Sequence, residues 1–160
     1  MIVEGRIPVK HNRAEVKYYP GRTIKGAIPA VLEVTDQAVV SLTTQAGELL
    51  FSVPVRSVER VGTSTSVLFI TVAGKTYKVE FGYMGGAMIG AGAGFRGHKG
   101  ASNAMKAGIK QLDEAGYYWW QRYFKAAGVP VGMAPLIKYI LYGLIVLGIA
   151  MTAVFVFIAP

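Results

Sequence analysis

Residue types able to do chemistry gather in three places in this chain. The first is Gly85-Gly86-Ala87-Met88-Ile89-Gly90-Ala91-Gly92-Ala93-Gly94-Phe95-Arg96-Gly97-His98-Lys99-Gly100. Glycine-rich backbone can turn successive N–H groups toward a phosphate, above all just before a helix. Gly90, Gly92 and Gly94 would allow close approach, and Arg96 and Lys99 would supply charge. The nucleotide fingerprints fail, however. Phe95 stands where the dinucleotide pattern needs a third glycine, and no Gly-Lys-Ser/Thr follows. What remains is an anion loop, a flexible loop, or a small-residue segment that packs against a partner or the membrane.

The second place is Tyr117-Tyr118-Trp119-Trp120-Gln121-Arg122-Tyr123-Phe124-Lys125. Tyr and Trp favour a membrane–water boundary, where the ring is apolar and its N–H or O–H is wet. Arg122, Lys125 and the later Lys138 can meet anionic headgroups. Tyr117, Tyr118, Trp119, Trp120 and Tyr123 are thus candidate membrane-interface residues, one face on the domain and the other on lipid or a partner. The third place is Asp113-Glu114. Adjacent residues on a helix point apart, so these carboxylates do not converge on a substrate. Cysteine is absent and the two histidines, His11 and His98, are far apart in sequence. No nucleophile–base–orienter set emerges. The expectation is a non-catalytic protein with no metal and no cofactor.

The elements that must position these groups follow from periodicity. Residues 26–81 show no helical period and read as a meander of strands. Ile28–Thr35 is rich in β-branched residues and ends at a turn, Asp36-Gln37. Val39–Thr44 alternates, Ala46-Gly47-Glu48 turns, and Leu49–Val55 continues, with Pro54 marking an edge or a bend. Val58–Val61 extends that strand, and Gly62–Ser66 turns again. Val67–Val72, Ala73-Gly74-Lys75 and Thr76–Phe81 form a hairpin, in which Tyr77, Val79 and Phe81 alternate with Lys78 and Glu80. Residues 103–127 read as one amphipathic helix capped by Ser102 or Asn103, with Met105, Ile109, Leu112, Gly116, Trp119 and Tyr123 on one face. Lys106, Lys110 and Asp113 fall on the other side.

Charge and hydropathy then divide the chain. Its 160 residues carry a net charge of +8, yet 52% are hydrophobic, and the mean hydropathy is +0.40. That excludes a disordered basic tail, and the length suits one domain. From Tyr139 to Ala159 no residue is charged. About 20 apolar residues in a helix cross a hydrocarbon core of about 30 Å. A membrane-spanning helix over 136–160 is therefore expected. Nearly all cations precede it, which puts the N-terminal part in the cytoplasm and the C-terminus across the membrane. The cations flank a neutral strand block, so the charge does not read as a nucleic-acid footprint.

Strands, then a loop, then a capping helix resemble the pleckstrin-homology superfold, in particular GRAM-like and bacterial PH-like domains. Ala30–Val40 is similar to its strand–Thr–turn–strand opening, and Glu48–Val58 to its strand ending in apolar-Pro-apolar before a Ser-Val step. Val67–Val72 with Tyr77–Phe81 is similar to its closing hairpin. The resemblance covers residues 15–127 and departs from the family at the glycine-rich insertion. It implies an α+β fold, an antiparallel sheet or partial barrel capped by one helix, and a role in docking. Some members bind phosphoinositides through an early basic hairpin. Lys17, Arg22 and Lys25 do not match that pattern, so no lipid-site residues carry over.

The expected organisation is a basic segment over 1–25, a PH/GRAM-like domain over 26–127 including a loop at 82–100, a linker over 128–135, and the span. The expected function is a tail-anchored accessory or scaffolding subunit of a membrane-protein assembly. Its partners would be membrane lipids and other integral membrane proteins, with no nucleic acid. A stand-alone anionic-lipid-binding module and a phosphate- or nucleotide-binding regulator using the glycine-rich loop are the alternatives.

Overall fold

A computed structural model describes residues 11–21, 26–82 and 98–133, together with positions 142, 143, 145 and 146; in the first helix, side chains are described from Lys106 onward. The chain is α+β. Strands β1 (Arg13–Tyr19), β2 (Ile28–Val34), β3 (Val39–Thr44) and β4 (Leu49–Pro54) come first. A single 3₁₀ turn, Val55–Ser57, leads to β5 (Val58–Ser64), β6 (Val67–Val72) and β7 (Lys75–Phe81). Helices α1 (His98–Glu114) and α2 (Tyr117–Ala126) precede a short last strand, β8 (Val131–Met133). All eight strands form one sheet in the order β4-β3-β2-β1-β7-β6-β5-β8. Every pairing is antiparallel except that of β5 with β8.

Period-two alternation sets the inner face of this sheet. Ala14, Val16 and Tyr18 of β1 are buried, as are Ala30, Leu32 and Val34 of β2, and Tyr77, Val79 and Phe81 of β7. The charged residues between them point outward. The tight hairpin at Ala73-Gly74 puts both residues at positive φ, 49° and 74°, the twist that two-residue hairpins favour.

The sheet curls on itself. Four strand spacings separate β4 from β7, about 19 Å if the sheet were flat. Yet the Tyr77 hydroxyl donates to the Leu50 carbonyl at 3.1 Å, and the Tyr77 ring lies 4.8 Å from that of Phe51. Register shifts in the β3–β4 and β5–β6 pairs add local bend. Trp120 and Phe124 of α2, both fully buried, share one apolar cluster with residues from β1 through β7.

Several expectations change. The helix over 103–127 is two helices, broken at Ala115-Gly116, and it begins at His98. Gly116 has φ +83°, a left-handed conformation that ends α1. The stretch expected as a basic segment contains β1. Val58 starts a new strand that pairs with β6 instead of extending β4. The expected linker contains β8. The predicted span over 136–160 lies outside the described residues apart from four helical positions. Among the described residues no helix is long and apolar enough to cross a membrane.

Candidate functional site

The break at Gly116 creates the candidate site. It turns the chain so that α2 drops its aromatic residues into the core and meets α1 along a groove. Among the described residues no side chain caps α2; its first turn is pinned instead by Tyr117, whose hydroxyl donates to the Ser64 carbonyl at 2.6 Å. Burial, helped by the neighbouring Tyr118, pushes the Tyr117 phenol from 10.0 up to about 12. Burial also pushes Tyr123 up. The Trp119 and Tyr123 rings stack at 5.2 Å, and Trp119 meets Trp120 edge-on at the same distance.

This arrangement splits the candidate membrane-interface residues. Tyr117, Trp119 and Trp120 are core residues here, with 3%, 6% and 0% exposure, because the Gly116 turn aims that side of α2 at the sheet. They present almost no surface to a lipid. Tyr118 and Tyr123 are half-buried, and Arg122 and Lys125 are exposed. Lys138 lies outside the described residues, as do Gly90, Gly92, Gly94 and Arg96. Lys99 lies within α1, in a part whose side chains are not described.

Between the helices is an open groove of about 520 Å³, lined by Lys106, Ile109, Lys110 and Asp113 of α1 and Tyr118, Gln121 and Arg122 of α2. Three cations thus face one carboxylate. Lys110 also lies 3.8 Å from Glu114, one turn on. Among the described residues, neither Lys106 nor Arg122 has an ion-pair partner. Ile109, placed by helical period on the buried face, is 46% exposed. Sequence reasoning missed this groove because it read one continuous helix. The signal that could have exposed it is Gly116, a helix-stop residue in the middle of the expected helix.

Two further features lie on the outer face of the sheet. A cleft of about 400 Å³ at the β5–β8 edge is lined mainly by apolar atoms of Val61, Phe69, Val131 and Met133. Beside β1, the Tyr19 hydroxyl donates to Glu80, and the Lys78 ammonium sits 4.8 Å from the Tyr19 ring. Both partners are spoken for, so that cluster braces β1 against β7. Among the described residues no three His, Asp or Glu side chains gather to hold a metal ion. Asp113 and Glu114 diverge, one to the groove and one to Lys110.

Compared with protein-family models, with curated proteins and with solved structures, the chain finds no match in any of the three.

Proposed function

We propose that the protein is a non-catalytic, membrane-attached docking subunit, with a PH-like domain held on the cytoplasmic face by the uncharged run 139–159. The carrying observation is β8. It pairs in register with β5, Val61 with Val131 through Thr63 with Met133, and hands the chain toward that run. Only residues 134–138 intervene, a reach of about 18 Å at full extension. A strand that completes the sheet edge and leads directly into a membrane-length apolar run suits a domain carried close to a bilayer. An antiparallel sheet that curls and packs on a helix is also compatible with what the PH-like resemblance implies.

Protease digestion of sealed vesicles tests the placement. Residues 11–133 should be protected when the vesicle lumen corresponds to the cytoplasm; digestion from outside such vesicles would refute it. Purification in mild detergent with mass spectrometry tests the role. Stoichiometric integral membrane partners are expected, and a chain that purifies alone would remove the subunit reading.

A further inference from the structure

We propose that the α1–α2 groove is the surface by which the domain lies on an anionic lipid leaflet. This rests on the membrane reading above and assigns it a contact face. Three observations carry it. The first is composition: Lys106, Lys110 and Arg122 ring the groove against Asp113 alone, and two of those cations have no ion-pair partner among the described residues. The second is the apolar centre. Ile109 is 46% exposed between two lysines on its own helix, with the half-buried Tyr118 opposite it. An apolar side chain flanked by cations on flexible stems suits a headgroup boundary, where the side chain enters and the charges stay at phosphate level.

The third observation is position. Met133 ends β8 opposite Thr63, and the next residue of β5, Ser64, accepts the Tyr117 hydrogen bond. The chain therefore leaves the sheet toward the 139–159 run at the end of the domain that holds the first turns of α2, where Tyr118, Gln121 and Arg122 line the groove. A bilayer that held the run would meet this end first. An acidic protein could also suit the cations. That the described chain ends β8 at this same end, with five residues left before the apolar run begins, favours the leaflet.

Because the chain has no cysteine, a single reporter can be attached. Ile109→Cys carrying a polarity-sensitive dye is introduced into the full-length chain, with Ser52→Cys on β4 as the distant control. Both are reconstituted in vesicles of phosphatidylcholine alone, or with roughly a third phosphatidylglycerol, where each nearby cation is worth about a fivefold change in contact. The Ile109 label should shift to the blue only with phosphatidylglycerol, and the control label should not respond. High salt should reverse the shift. Lys106→Gln, Lys110→Gln and Arg122→Gln together should lower the docking equilibrium constant about a hundredfold, whereas Arg122→Lys should preserve docking. Equal emission in both vesicles overturns the proposal. So does a shift already complete in neutral vesicles, which would mean the chain covers the groove itself, or a shift that needs an added protein. Alkaline extraction separates this from the anchoring reading. A chain that resists extraction but shows no shift removes the groove alone. A chain that is extracted yet still shifts with phosphatidylglycerol supports the groove and removes the anchor.

Discussion

Replacing Tyr117 by Phe should weaken the fold by a modest amount at neutral pH and remove a specific piece of its alkaline instability. The hydroxyl donates to the Ser64 carbonyl at 2.6 Å and also meets the Gln121 side chain, while the ring is 3% exposed and packs 5.7 Å from Phe81. Phe keeps the ring, so no cavity opens and the loss is that of the hydrogen bond, about 1–1.5 kcal/mol. The second effect is linked to titration. Burial holds the phenol up to about 12, against 10.0 in the unfolded chain. A raised value means that the folded chain keeps the proton longer. Its stabilising contribution is complete below pH 10 and is lost as the pH rises through the folded value near 12. The full difference corresponds to at most about 3 kcal/mol. Solvent screening at the end of the domain reduces that to about 1–2 kcal/mol. Urea unfolding of the full-length protein in mild detergent, followed by the fluorescence of Trp119 and Trp120, measures both effects. From neutral pH to about pH 11 the wild-type stability should fall faster than that of Tyr117→Phe, so that the two curves converge. Parallel curves would refute the argument.

Two further predictions use the same assay. Gly116→Ala places a Cβ 3.1 Å from the Cβ of His11 at φ +83°; the left-handed cost and the displaced histidine together should destabilise by about 2 kcal/mol, and a loss below about half a kcal/mol would contradict the reading of this turn. Trp120 is fully buried and its Nε1–H has no hydrogen-bond partner among the described residues, so Trp120→Phe trades a small cavity against the removal of an unsatisfied donor. It should cost under about 1.5 kcal/mol, whereas Trp120→Ala should cost about 3–5 kcal/mol; a Trp120→Phe loss well above that bound would show that the indole N–H is satisfied in solution.

The parts of the fold that could be read in advance were those with local causes. β2, β3 and the β6–β7 hairpin announce themselves by alternation, and Asp36-Gln37 and Ala73-Gly74 by turn chemistry. Pro54 was read correctly as an edge or bend, and β4 is the outer strand of the sheet. β1 was legible but overlooked: Ala14, Val16 and Tyr18 alternate with Arg13, Glu15 and Lys17, a pattern hidden by counting charges. β8 was not legible, because three residues between prolines become a strand only when a distant partner, β5, offers its edge. The groove depends on one backbone torsion at Gly116, which rotates α2 relative to α1 and exchanges Ile109 for Trp120 on the buried side. The positions in 83–97 and 134–141 that carried other expectations lie outside the described residues.

The parallel pairing of β8 with β5 has a mechanical consequence. The Val61 N–H donates to the Pro130 carbonyl at 2.8 Å, and the Thr63 hydroxyl donates to the Gly132 carbonyl at 3.1 Å. These bonds lie across the strand direction. A pull applied through residue 134 along the line of the strand therefore loads them together in shear, and not one after another as in a zipper. A pull on Met133 therefore passes directly to β5. The next connection from β5 runs through Ser64 to Tyr117, at the start of the helix that forms one wall of the groove.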